Sequence, residues 1–425
     1  MSSNVSPSIT EAAAASAGFA LPPAGPRGRN LVRHGSKWGV DRFMLLLTHG
    51  AAWMIVLMVV ALLAVLAYAS WPSMKTFGAG FLVSSDWRPN PLEVPRQGPD
   101  GKILIEDGET VTDTIPPAFG ALPVIYGTAV SSVLALLIAI PLSFGAALFL
   151  VRVARPALGG PVSFLIEFLA AIPSIAYGIW GLFVLAPLLQ GNMRWPWLEW
   201  LTAHVPGMQW IVVHFFPWAF AITVSAGNET KISFRGLERL LANVLEYIPG
   251  MGWLFYETVS TAQGPVLREI PLAGRDMFCG ALILAIMILP IITALSRDVL
   301  KSVPRAQVEG TVALGATWWQ SSWEMLRYSR AGLFGAVMLG LARAAGETMA
   351  ITMVIGNNNQ IRPSIFAPAQ TMSSLLANEF AEASSDIHRA ALSEVALILL
   401  VMSLIFNVVA RWLVVGKGSR TSAAH

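Results

Sequence analysis

Long apolar runs alternate with polar segments along this chain. A membrane-spanning helix needs about 20 mostly apolar residues, and six runs reach that length. They lie at about 43–68, 122–151, 162–189, 277–295, 332–355 and 390–415. Several runs contain proline, which membrane helices tolerate because neighbouring helices satisfy the freed carbonyl groups. The pattern predicts an all-α polytopic membrane protein with six transmembrane helices.

A seventh apolar segment, 209–225, is short and is interrupted by His214 and Pro217. Its aromatic residues suit the membrane interface. We therefore expect an interfacial or extracytoplasmic segment inside a long periplasmic insert, 190–272. The alternative is a seventh span, which would place every later segment on the opposite side of the membrane.

Composition agrees with a lipid environment and helps to orient the chain. Only 12% of the residues are charged, against about 25% in soluble domains. Lysine and arginine are densest in the segments that six spans place on the side of the N-terminus, and that side is therefore the cytoplasm. Both termini are expected there, with a disordered tail at 1–42 and a short tail at 416–425.

The remaining segments follow from this count. The first transmembrane helix covers 43–69, and an acidic periplasmic segment covers 70–120. A core at 121–415 holds the other five spans, with a cytoplasmic loop at 298–330. The pI of about 9.1 reflects basic residues beside the spans, so membrane orientation explains it better than nucleic-acid binding.

Two opposite charges lie inside the fifth apolar run. Arg343 and Glu347 are four residues apart and share a helix face, and an ionised residue at mid-bilayer costs about 2.5–3.5 kcal/mol on insertion scales. They form either a satisfied pair in the scaffold or, as we favour, part of a polar pathway with Thr348. The planar guanidinium suits an oxyanion. Glu167, alone in the third run, is expected to be structural.

Small residues recur every fourth position in two runs. The fifth run has Gly332, Ala336, Gly340 and Ala344, continued by Thr348 and Thr352. The second run has Gly127, Ser131, Ala135, Ala139, Ser143 and Ala147. Such stripes allow helices to approach closely in membranes. We expect these two helices to pack tightly, against each other or against a partner subunit.

The loop 298–330 contains an amphipathic stretch interrupted by Gly315. Two short helices with a break at this glycine would fit. The stretch is either an interfacial helix or a knob that docks into a cytoplasmic motor subunit, with Glu309, Gly315, Ala316 and Thr317 at the contact.

No enzyme signature appears in the sequence. There is no Gly-x-x-x-x-Gly-Lys-Ser/Thr run to cradle the phosphates of ATP. The six histidines lack the spacing of metal ligands, and no catalytic constellation is recognisable. His388 is expected to form a solvated pair with Asp386.

Several motifs resemble one family. Glu309 with Gly315 resembles the loop motif of the permease subunits of ABC importers, although Gly310 and Thr311 replace two alanines. Leu326-Arg327 also lacks the proline of the family's entry into the next helix. Four further segments, 77–87, 170–183, 340–357 and 371–380, resemble the C-type subunit of phosphate-specific permeases. The resemblance covers about 43–415, whereas the insert 190–272 replaces a short outer loop.

This resemblance implies a type I ABC importer permease in the bacterial inner membrane, working by alternating access. Its implied partners are an A-type permease subunit, an ATPase dimer that carries ATP and Mg, and a periplasmic phosphate-binding protein. The chain itself would bind no cofactor and would not be an enzyme. The alternatives are a secondary transporter with Arg343 and Glu347 as an ion relay, a non-transporting sensor or scaffold, and a sulfate or molybdate permease.

Overall fold

The computed structural model describes 38–96, 112–190 and 274–418, with short pieces between them. Those pieces are 105–106, 109–110, 205, 220–224, 230–234, 239, 241, 256–261 and 264–269. Residues 1–37 and 419–425, which hold most of the two expected tails, lie outside the described residues, as does most of the insert 190–272. The chain divides into two compact units, 1–62 and 63–425, and the packing described below is within the second.

Helices dominate the described residues. In chain order they are α1 Trp38–Phe77, α2 Gly80–Val83, α3 Leu122–Arg152, α4 Pro156–Ala171, α5 Ser174–Trp180, α6 Ala186–Gln190, α7 Met277–Lys301, α8 Arg305–Ala313, α9 Trp318–Tyr328, α10 Arg330–Ala345, α11 Met349–Val354, α12 Met372–Glu379 and α13 Asp386–Gly418. A π-helical turn, Gly181–Leu185, joins α5 to α6.

Four of these helices are long and apolar enough to cross a membrane. The qualifying segments are Arg42–Phe77, Leu122–Arg152, Met277–Lys301 and Asp386–Val409. They coincide with four of the six predicted spans, so the prediction of a mostly helical, multi-pass membrane protein is confirmed.

The other two predicted spans are broken helices. The third run, 162–189, bends by 91° between α4 and α5. Pro173 forces the residue before it towards extended backbone, and Ile172 has φ −66° and ψ 130°. Counting this bent pair as one span gives five. The fifth run, 332–355, is not one continuous helix either, because α10 ends at Ala345 and α11 begins at Met349.

Short strands correct the prediction of an all-α chain. Four antiparallel pairs lie in the described parts of the predicted periplasmic segment and insert. They are β1 Leu92–Pro95 with β4 Thr112–Ile115, β2 Ile105–Glu106 with β3 Glu109–Thr110, β5 Phe220–Val224 with β6 Thr230–Phe234, and β7 Tyr256–Thr261 with β8 Gly264–Glu269. Of the candidate segment 209–225, the described part is strand β5, and the rest lies outside the described residues.

Helix α7 is the centre against which both small-residue stripes pack. On α10, a Cβ added to Gly340 would lie 2.6 Å from Ile292 Cδ1, and one added to Gly332 would lie 2.7 Å from Val299 Cγ1. On α3, all six stripe residues are buried, and Ser143 Oγ donates to the Leu289 carbonyl at 3.2 Å. The α10 stripe stops at Ala344, because Thr348 lies beyond the end of the helix.

An aromatic cluster joins the predicted periplasmic segment, 70–120, to the start of α13. It contains Phe77, Phe81, Trp87, Phe119 and His388. Trp87 Nε1 donates to Glu379 Oε2 at 2.8 Å, and His388 Nε2 lies 3.1 Å from the same oxygen. The expected solvated pair of His388 with Asp386 is therefore wrong. The histidine is buried against Glu379, whereas Asp386 is exposed and lies near Arg389.

Candidate functional site

Arg343 and Glu347 form an ion pair across the break between α10 and α11. Arg343 Nη1 lies 3.2 Å from Glu347 Oε2. The two side chains differ in exposure, because Arg343 is 47% exposed and Glu347 is 3% exposed. The pair therefore presents a cation at the surface and keeps the carboxylate behind it.

The break holds the buried carboxylate in place. Ala350 N–H, in the first turn of α11, donates to Glu347 Oε1 at 3.3 Å. Ser373 Oγ donates to the Glu347 carbonyl at 2.6 Å, which ties the break to α12. Thr348 stands at the N-terminus of α11, where its carbonyl accepts from the Thr352 hydroxyl at 2.6 Å. Both oxygens of the Glu347 carboxylate are thus used inside the protein.

Helix α12 in turn is fixed to α3. Met372 N–H donates to Thr128 Oγ1 at 2.9 Å. A Cβ on Gly127 would lie 2.1 Å from the Gln370 carbonyl oxygen, so only glycine permits this approach. The sequence signals for Ser373 and Thr128 were indirect. Ser373 lies in the 371–380 motif, and Thr128 follows the first residue of the α3 stripe.

A second arginine–glutamate pair joins α4 to α7. Arg297 Nη1 lies 3.3 Å from Glu167 Oε1, and Arg297 Nε donates to Asp298 Oδ1 at 3.1 Å. Here the exposures are reversed, since Arg297 is 14% exposed and Glu167 is 58% exposed. The sequence indicated a lone Glu167 in the third run. In the structure Glu167 is paired with a cation from another helix.

The loop after α7 has the expected form of two short helices with a break. Gly315 lies between α8 and α9 with φ +85°, a conformation that favours glycine. Thr317 caps α9 with a reciprocal pair of hydrogen bonds to Gln320. Glu309, Gly315 and Thr317 are exposed, and Ala316 is half-buried.

The loop and the Arg343 pair lie at opposite ends of one helix. Tyr328, the last residue of α9, is followed almost at once by α10, which begins at Arg330. Arg343 lies in the last turn of α10, about 20 Å further along at 1.5 Å per residue. A single continuous helix, α10, thus connects the exposed loop to the charged break. Among the described residues, no group of three or more His, Cys, Asp or Glu side chains is placed to hold a metal ion.

These features define a multi-pass helical membrane protein with a charged site in a broken helix. No family model matches the chain. It is 35% identical over 378 residues to the phosphate transport system permease protein PstC of Mesorhizobium japonicum, covering 88% of this chain and 90% of that protein. It is 34% identical to PstC of Pasteurella multocida, covering 84% of this chain and 86% of that protein. The chain belongs to the PstC family of phosphate transport permeases.

A solved structure offers a weaker likeness. The MetNI methionine ABC transporter in an inward-facing conformation is 13% identical, with a TM-score of 0.37, over 69% of this chain and 94% of that chain. That score does not establish a shared fold. Membership of the PstC family, together with the long apolar helices, makes this chain a multi-pass protein of the bacterial inner membrane.

Proposed function

We propose that this chain is the permease subunit of an ATP-driven phosphate importer and that Arg343 lines its pathway. The observation that carries the proposal is the half-exposed guanidinium of Arg343, held within an apolar run by a buried carboxylate. Leaving a cation exposed inside an apolar run is costly, and an oxyanion pathway gives a reason to do so. The names of the relatives, phosphate transport permeases, supply the anion.

Arginine can bind phosphate through two parallel N–H donors and stays protonated at any physiological pH. Glu347 offsets part of that charge, which keeps phosphate binding weak enough for release. Thr348 is half-buried beside the pair, and we assign its neutral polar side chain to the lining of the same pathway. The pathway is completed by an A-type permease subunit.

The loop α8–Gly315–α9 is proposed to dock onto a cytoplasmic ATPase dimer, which binds ATP and Mg in place of this chain. Glu309, Thr317 and Leu314, the last 91% exposed, offer a free surface for that contact. Movement of the loop would reach Arg343 along α10. Counting both broken runs as crossings gives six spans of a type I importer permease with both termini in the cytoplasm. The opposite face would receive a periplasmic phosphate-binding protein.

Uptake of labelled phosphate by cells that depend on this transporter tests the proposal. Arg343→Gln is expected to abolish uptake while normal amounts of the assembled complex remain in the membrane, and Arg343→Lys is expected to restore part of it. Arg88→Gln, an outer arginine paired with Asp86, is the matched control and should leave uptake near normal. Normal uptake by Arg343→Gln, or uptake that continues after the ATPase is inactivated, would overturn the proposal.

A further inference from the structure

A groove opens between α8, α9 and the first turn of α10. Its volume is about 740 Å³, and its apolar wall includes Val303, Val308 and Met325. Arg327, Tyr328 and Arg330 also line it. The groove therefore combines an apolar surface with two guanidinium groups.

The cations of the groove are only weakly neutralised. Arg327 Nη1 lies 3.9 Å from Glu324, the one acidic residue of the described lining, and Arg330 is exposed. A third cation lies behind the wall, because Arg152 Nη2 donates to Ser321 Oγ at 3.4 Å. Ser321 is itself buried and lines the groove. The site has a net positive charge.

The groove lies where apolar helices end. Helix α7 ends at Lys301, just before Val303, and the apolar run of α10 begins at 332, just after Arg330. In a bilayer, the ends of apolar spans lie near the lipid headgroups, and we infer that level for the groove. Arg152 also lies over the ring of Trp318, 6.0 Å from its centroid, and tryptophan and arginine are both frequent at that level.

The groove is separate from the surface assigned to the motor. On α8 it is lined by Gln307, Val308 and Thr311, whereas Glu309 points about 100–160° away from them around the helix, at 100° per residue. Both surfaces can therefore be occupied together.

We propose that this groove binds an anionic phospholipid, with the headgroup phosphate on Arg327 and Arg330 and an acyl chain against Val303, Val308 and Met325. Basic pockets beside membrane helices are suited to such headgroups. Bound lipid would fill the space between the loop helices and α10. This inference does not depend on which solute the protein transports.

Native mass spectrometry of the full-length protein, titrated with phosphatidylglycerol or phosphatidylcholine, tests the proposal. Phosphatidylglycerol is expected to bind more tightly. Arg327→Gln with Arg330→Gln should weaken that binding by about thirtyfold, since each basic residue contributes about fivefold. Binding of phosphatidylcholine should not change, and the corresponding pair of lysine variants should retain most of the affinity. Arg88→Gln with Arg96→Gln removes the same charge from the outer segment and should have no effect.

Several results would overturn the proposal. They are unchanged phosphatidylglycerol binding by the double glutamine variant, an equal loss in the control, and displacement of the lipid by millimolar inorganic phosphate. Displacement on assembly with the ATPase subunits would assign the groove to that protein. If the double variant does not fold, a photo-crosslinking residue in place of Tyr328, which is exposed in the groove, gives a second measurement. It should crosslink to phosphatidylglycerol, and its failure to do so would contradict the proposal.

Discussion

Two of the arginine–glutamate pairs among the described residues, Arg343 with Glu347 and Arg297 with Glu167, have the same chemistry and opposite exposure. The N–O distance is 3.2 Å for Arg343 with Glu347 and 3.3 Å for Arg297 with Glu167. In the first pair the arginine is exposed and the glutamate buried, and in the second the glutamate is exposed and the arginine mostly buried. The first pair offers a cation to an approaching ion, and the second offers an anion.

The comparison teaches that burial, and not pairing alone, decides what an ion pair can bind. Glu347 is held by Ala350 N–H and by the burial of the helix break, so it cannot easily move away from Arg343. Arg297 is held between Glu167 and Asp298. Of these two pairs, the Arg343 pair is therefore the one suited to attract an oxyanion.

Inverting the first pair should have the largest effect. Arg343→Glu with Glu347→Arg keeps one charge of each sign but exposes a carboxylate. Because like charges at close range cost several kcal/mol, phosphate uptake should fall by about 100-fold or more. The matched inversion, Glu167→Arg with Arg297→Glu, brings no like charge towards the phosphate, because neither residue is assigned to the phosphate pathway. Uptake should therefore fall by less than about tenfold. Equal losses in the two inversions, at equal protein levels, would remove the distinction between the pairs.

Neutralising the buried carboxylate should have a smaller and different effect. Glu347→Gln retains an oxygen that can accept from Ala350 N–H but leaves the charge of Arg343 without an offset. Phosphate should then bind more tightly and leave more slowly, because hydrogen bonds from an uncompensated cation are stronger. We expect a lower KM for phosphate and a maximal rate reduced by about tenfold, corresponding to a gain of about 1.4 kcal/mol in binding. A raised KM would show that Glu347 does not weaken anion binding.

The Arg343 pair also depends on α10 lying close to α7. Gly340→Ala places a methyl group 2.6 Å from Ile292 Cδ1, and overpacking of this kind costs about 1–3 kcal/mol. The measurement is the thermal unfolding temperature of the purified protein in detergent, which should fall. Gly145→Ala on α3 is the control, since no atom lies within 4 Å of its added Cβ. Equal unfolding temperatures for the two variants would contradict the close packing.

The ion pair of Arg96 with Asp113, in which both side chains are exposed, should make the smallest contribution to stability. Arg96 donates to Asp113 Oδ1, and this hydrogen bond lowers the pKa of Asp113 below its ordinary value of 3.8. A lowered pKa stabilises the β1–β4 pair above pH 3.8, and that stabilisation is lost as the pH falls through the lowered pKa. The protection of the Thr112–Ile115 amides against exchange, relative to the unstructured rate at the same pH, should fall slightly at acid pH, and Asp113→Asn should abolish that change. An unchanged pH dependence in the variant would show that another group is responsible.

The sequence predicted the charged pair and the loop better than the helix boundaries. The spacing of Arg343 and Glu347 was enough to place them together, and Gly315 was enough to mark the break in the loop. The break at Gly346–Thr348 was not visible, because a bend inside an apolar run leaves the average hydropathy unchanged. The pairing of Glu167 with Arg297 joins residues 130 positions apart, and a contact of that kind depends on tertiary packing that no local pattern encodes.

Chemical labelling of position 343 tests the central claim most directly. The sole native cysteine, Cys279, is fully buried, so the Arg343→Cys variant can be followed without removing it. A charged, water-soluble thiol reagent should modify this cysteine in the assembled transporter. Thr348→Cys, which keeps Arg343, should react more slowly when phosphate is present, and Ala345→Cys, at a buried position, should not react. An unreactive cysteine at 343, or a cysteine at 348 whose rate ignores phosphate, would contradict the assignment of Arg343 to the phosphate pathway.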